Sequence, residues 1–186
     1  MKKIIIVGKG ASGKNFLMER FEARGFRHLV SHTTRPMRTG EEEGREYHFI
    51  SNEEFKRMIK DNELFEYQKF GDYYYGTSNK EWNMSDVVIM APQGVKNLNR
   101  LGIRQNCFII YIDIPYYIRN ERLCKRNSSN IDEIKKRLLN DEREFDGFKD
   151  YDLKIENPNF WDMKELAKEY TYSSNPNEDG YLSAIR

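Results

Sequence analysis

Cysteine, histidine and proline are scarce in this 186-residue chain, at two, three and five residues. Cys107 and Cys124 show no CxxC spacing and have no histidine nearby, so a disulfide framework or a thiolate zinc centre has little to build on. His28, His32 and His48 lack metal-ligand spacing and are expected on the surface or in packing. Net charge is nearly absent too. The 31 Lys and Arg against 30 Asp and Glu leave +1, which excludes a polybasic arm or an acidic tail as the main device. No continuous basic stripe with interleaved aromatics appears, so nucleic acid is not an expected partner. Long apolar runs are missing as well: none approaches the roughly 20 residues of a membrane span, and the run at 4–7 is too short for the apolar region of a secretory leader. A cytoplasmic, reduced setting without a membrane partner is the expectation.

What remains is enough for a core. Hydrophobic residues make up 38% and aromatics 13%, which can offset a backbone ordering cost of about 1–2 kcal/mol per residue, while a mean hydropathy of −0.86 implies a very polar surface. The length suggests one core with inserted parts.

A β-branched run at 3–7 ends in a glycine-rich turn, and apolar positions 16, 17, 18 and 21 then suit a helix that Gly25 can stop. Residues 26–30 are expected to form a second strand. Pro36, Gly40 and Gly44 punctuate a polar segment, residues 46–50 and 64–70 read as short strands, and Ser51 before Phe55, Met58 and Ile59 reads as a capped helix. These make a small inserted α+β subdomain. The runs at 86–91 and 107–112 are near-continuously apolar, as in parallel strands covered by helices, so the fold class is α/β. A charged helical stretch at 116–148 is interrupted at 127–130, residues 153–155 suggest a last strand, residues 162–170 a closing helix, and 173–180 a frayed tail.

Residues 8–14, GKGASGK, satisfy two overlapping motifs, G-x-G-x-x-G and the G-x-x-x-x-G-K of a P-loop. A dinucleotide site would want a carboxylate about 20 residues on, and the sequence there is Leu29-Val30-Ser31-His32-Thr33. The P-loop reading uses Lys14: backbone N–H groups and a helix N-terminus cradle phosphate while the ammonium reaches the β/γ-phosphates. Gly8, Gly10, Ala11, Ser12, Gly13, Lys14 and Asn15 are therefore the expected ATP-binding residues. Asn15 replaces the usual Ser or Thr ligand of Mg²⁺; its amide oxygen or a water is the expected substitute, so metal binding should be altered.

Farther on, SHTTRPMRTGE and REYHF put arginines, hydroxyls and a phenol into one short segment suited to gripping a phosphate through guanidinium forks. With GREYHFIS, ELFEY, YYYGTS, QGVK, RLCKR and IKKRL, the chain to about residue 160 resembles the guanylate kinase family. The resemblance implies a P-loop nucleoside-monophosphate-kinase fold: a parallel-sheet core (1–31, 78–118 and 151–186), a nucleotide-binding α+β insertion (32–77) and a helical lid (119–150). It implies ATP-dependent phosphorylation of GMP, and of dGMP, with Mg²⁺ accompanying ATP and no protein partner indicated. Ser31, Arg35, Arg38, Tyr47 and Tyr75 would hold the GMP phosphate, and Glu66 and Thr77 would face guanine. Guanine presents N1–H and N2–H₂ donors to an ionised carboxylate where adenine presents a lone pair.

By the same resemblance Arg122, Arg126 and Arg137 are lid arginines that join Lys14 as catalytic groups, closure bringing them onto the transferring phosphoryl group. Residues 119–137 carry seven Lys and Arg against three Asp and Glu, and 141–152 two against six, so carboxylates are expected to gather away from the phosphates. An acid usual in the family before its QG motif is missing; Ala91 lies in that stretch. Two alternatives stay open: a nucleoside or deoxynucleoside monophosphate kinase of relaxed base choice, and a domain of this family that has lost catalysis and binds protein ligands.

Overall fold

The structure, a computed structural model, describes residues 2–126 and 131–156. The interruption at 127–130, the helix expected at 162–170 and the tail lie outside the described residues. The chain divides into two compact units, one of Met1–Phe26 with Val87–Arg186, the other of Arg27–Asp86.

The first unit is built on β1 (Lys3–Gly8), β6 (Val87–Met90), β7 (Cys107–Ile112) and β8 (Leu153–Ile155), in the order β6-β1-β7-β8. All three pairings are parallel. Ile4, Ile5, Ile6 and Val7 on β1 and all six residues of β7 are buried, as strands covered on both faces must be. Each such aliphatic side chain contributes about 1.5–3 kcal/mol by leaving water. The helices of this unit are α1 (Lys14–Glu22), α4 (Pro92–Arg100), α5 (Tyr116–Arg126) and α6 (Ile131–Glu144). Leu17, Met18 and Phe21 of α1 enter the core with Ile110, Ile112 and Leu153.

The strand expected at 26–30 does not form. Gly25, at φ 86°, turns the chain at the end of α1, and Phe26 folds back so that its N–H donates to Phe21 O and its ring meets Phe21 edge-on at 5.3 Å. Helix α4 was not anticipated, because its N-cap is Ala91, which offers no side-chain acceptor; Pro92 starts it instead, and Val95 and Leu98 bury its inner face.

The second unit holds β2 (His32–Thr33), β3 (His48–Phe49), β4 (Leu64–Phe70) and β5 (Tyr73–Ser78), in the order β3-β2-β5-β4. Helix α2 (Asn52–Lys60) begins as its sequence predicts, with Ser51 Oγ accepting from Glu54 N at 3.0 Å. Its Phe55, fully buried, stacks on Tyr74 at 5.2 Å. Gly76 lets that happen: a Cβ there would come within 2.9 Å of Glu66 O and 3.0 Å of the Phe55 ring. The same glycine interrupts the pattern of β5 and hid it from a reading of periodicity. Helix α3 (Asn79–Met84) follows, capped by Ser78 and carrying the buried carboxylate Glu81, which accepts from Arg27 at 3.1 Å and from Val30 N at 3.3 Å. The unit is closed at its neck, where Arg27 N donates to Asp86 Oδ2 at 2.9 Å and Asp86 N to Arg27 O at 2.8 Å. Among the described residues no helix is long and apolar enough to cross a membrane.

Candidate functional site

In the first unit β1 ends at Gly8 and α1 starts at Lys14, and the five residues between are shaped by two left-handed positions, Ala11 at φ 58° and Gly13 at φ 107°. Gly13 is the N-cap of α1, and it has no side chain to accept from the first N–H groups of the helix. Lys14 Nζ folds back over the loop and donates to Gly8 O at 2.7 Å and Lys9 O at 2.9 Å. Burial lowers its pKa from 10.5 to about 8; Asp141 works against that shift and Arg137 and Arg119 with it. Ser12 is fully buried, and among the described residues its hydroxyl has no hydrogen-bond partner. Asn15 is exposed in the first turn of α1.

The arginines expected in the lid sit in three different ways. Arg122, on α5, donates to Ala11 O at 3.1 Å and Ser12 O at 3.3 Å, so it already touches the loop. Arg137, on α6, places its Nε 3.2 Å from where a Cβ at Gly10 would stand. Arg126 is the last residue of α5, and its side chain lies outside the described part.

The carboxylates of the acidic stretch do not keep away from the loop, contrary to the expectation from charge segregation. Asp141 Oδ2 accepts from Gly10 N at 2.7 Å, and Glu142 pairs with Lys9 at 2.5 Å. Both also bind Arg119, which is fully buried and donates its Nε to Ile114 O at 3.1 Å. Sequence reasoning counted Arg119, Asp141 and Glu142 as members of two charge runs. No local signal marks them, since their meeting depends on how α5 and α6 pack.

In the second unit Arg35 is buried to 8% exposure and donates to Glu41 Oε1 at 2.8 Å and Pro36 O at 2.7 Å. Its guanidinium lies 5.6 Å from the centres of the Tyr47 and Phe49 rings, and Tyr47 meets Tyr75 edge-on at 5.9 Å. Burial holds the Tyr47 phenol neutral by raising its pKa. Arg38 is exposed, and its N–H donates to Glu41 at 2.8 Å. Ser31 is half-buried. Tyr75 and Thr77, two apart on β5, share one face, and Thr77 is the register partner of Glu66 on β4. Its hydroxyl donates to Glu66 Oε1 at 3.0 Å. Burial pushes the Glu66 pKa up, and that hydrogen bond opposes the push. The structure thus gathers Arg35, Tyr47 and Tyr75, and separately pairs Glu66 with Thr77.

The rings of His32 and His48 lie 4.8 Å apart, tilted by 41°. Among the described residues no group of three His, Cys, Asp or Glu is placed to hold a metal. Asn15 offers one exposed carboxamide oxygen, a donor that fits a hard cation held chiefly by water and other oxygens outside an all-protein cage.

The guanylate kinase family profile matches residues 1–172. A guanylate kinase of Buchnera aphidicola subsp. Baizongia pistaciae is 41% identical over 138 residues, which is 70% of this chain and 66% of that protein, just under two thirds of its length. The human guanylate kinase is 32% identical over 149 residues, 74% of each chain. Among solved structures, a crystal structure of guanylate kinase from Anaplasma phagocytophilum superposes with a TM-score of 0.63 at 25% identity, over 92% of this chain and 83% of that one.

Proposed function

The chain belongs to the guanylate kinase family, and from that premise we propose that it transfers the γ-phosphoryl group of ATP to GMP, releasing GDP and ADP. The observation that carries this reading is Lys14, seated on the Gly8 and Lys9 carbonyls at the uncapped start of α1. From there its ammonium exchanges two carbonyl oxygens for β/γ-phosphate oxygens, while the N–H groups of residues 8–14 receive the rest of the polyphosphate. Mg²⁺ bound with ATP neutralises phosphate charge, and Asn15 is its proposed protein donor.

On the acceptor side Arg35, Arg38, Ser31, Tyr47 and Tyr75 are the proposed ligands of the GMP phosphate. Arg35 leaves Glu41 or shares it, and each charge-assisted bond to phosphate contributes about 1.5–3 kcal/mol. Glu66 and Thr77 receive the guanine edge. No general base is assigned, because the acceptor phosphate is already an anion. Arg122, Arg126 and Arg137 are the proposed cationic groups that offset charge on the transferring oxygens. A cytoplasmic setting, where Cys107 and Cys124 stay as thiols, fits these substrates.

A second reading, a kinase of relaxed base choice, rests on Ala91, which stands at the N-cap of α4 without a carboxylate to offer. A coupled ADP-release assay across GMP, dGMP, AMP, CMP and UMP separates the readings. Turnover confined to GMP and dGMP is expected. Comparable AMP turnover would establish the relaxed kinase, and GMP binding without any turnover would establish a binding module.

A further inference from the structure

We infer that Asp141 is a resident anion of the phosphate loop, an internal carboxylate that occupies the Gly10 amide until a nucleotide's polyphosphate displaces it. The inference rests on the ATP-binding reading of residues 8–14.

Four observations converge on it. The Gly10 N–H, one of the donors that residues 8–14 offer to an anion, already gives its hydrogen to Asp141 Oδ2 at 2.7 Å. The approach is tight enough that any side chain at residue 10 would collide, a Cβ there falling 2.8 Å from the same oxygen. Arg119, fully buried, pairs with Asp141 at 3.4 Å and fixes the helix that carries it through Ile114 O and Glu142. Asp141 is also the foremost charge that keeps Lys14 protonated against burial. A carboxylate with an amide donor on one side and an ammonium in its field is in the electrostatic position of a phosphate oxygen.

One N–H at this distance serves one anion. A phosphate oxygen arriving at Gly10 therefore competes with Asp141, and like charges so close cannot share the donor. The apparent affinity of the loop for polyphosphate is reduced by the fraction of molecules in which Asp141 sits on it. Binding releases the carboxylate and leaves Glu142 of α6 paired with Lys9 of the loop. Glu144 provides an internal comparison: it also feels Lys14, from the same helix, and among the described residues no hydrogen bond links it to the loop.

Calorimetric titration with ADP and with inorganic tripolyphosphate tests this. Asp141→Asn and Asp141→Ala are each expected to tighten both ligands about tenfold, and Glu144→Gln to change them several-fold less. In the wild-type chain the Asp141 carboxyl carbon resonance should move on saturation with ADP, a readout that needs no variant to fold. Unchanged or weaker binding in the Asp141 variants, tightening by Glu144→Gln of equal size, or a stationary resonance would overturn the inference. Failure of the wild-type chain to bind either ligand would overturn the ATP-binding reading itself, and this inference with it.

Discussion

Thr77 donates its hydroxyl hydrogen to Glu66 Oε1 at 3.0 Å across the β4–β5 pair. The register irregularity between Leu64 and Glu66 sits just before that contact. One carboxylate oxygen is thus held by the strand opposite, and Glu66 keeps further lone pairs for another donor.

Glu66→Gln is therefore expected to raise KM for GMP about 10–100-fold, the cost of about 1.5–3 kcal/mol for losing a charged acceptor. An amide offers one acceptor oxygen and presents N–H to a guanine N–H. AMP turnover should not fall in the same variant. Steady-state kinetics on both substrates measure the ratio, and an equal loss on both would remove Glu66 from base recognition.

The depressed pKa of Lys14, about 8, makes nucleotide binding sensitive to alkali. In the free protein the ammonium gives up its proton above that pH, while a bound polyphosphate restores it by opposite charge. ADP affinity is expected to fall between pH 7 and 9, with proton uptake on binding near pH 8.5. Calorimetry in buffers of different ionisation enthalpy counts the protons, and Lys14→Ala should abolish the uptake. For stability the sign is opposite. Between pH 8 and 10.5 the unfolded chain holds more of this proton than the folded one, so the penalty of burying Lys14 eases as pH rises.

Arg119→Met should destabilise the fold by about 3–5 kcal/mol, because it leaves the Asp141 and Glu142 carboxylates without their buried partner. Lys125→Met is the control. Lys125 pairs with Glu121 at 2.6 Å on an exposed face of α5, and its loss should stay within about 0.5 kcal/mol. Urea unfolding of the two variants gives the comparison.

How far the sequence was legible depends on whether a feature is local. The loop at 8–14 is local: its glycine and lysine spacing marks the proposed anion site, and to that the structure adds Lys14 on the Gly8 and Lys9 carbonyls and Asp141 on the Gly10 N–H. Helix α2 is local too, since Ser51, Phe55 and Met58 write its cap and its buried face in one stretch. Arg35 and Arg38 looked alike as donors. They differ because one carboxylate, Glu41, takes the guanidinium of the first and only the backbone N–H of the second. Arg119 was one cation among seven until packing buried it. Counting charges separated the acidic and basic stretches along the chain, and the packing of α5 with α6 brings Arg119 and Asp141 together beside Gly10.

The bridge between Arg27 and Asp86 bears on the order in which the chain folds. Pairing of β1 with β6, whose registers start at Ile4 and Val87, asks for a long chain segment to be closed first. The entropy of that closure grows as (3/2)RT ln n with the number of loose residues. Once Arg27 and Asp86 have met, most of the intervening residues cease to count as loose, and one arm is left to close, the loop and α1 between β1 and Arg27, since β6 follows Asp86 directly. Early assembly of the hairpin and its helices would then act as a kinetic staple for the sheet that carries the glycine loop.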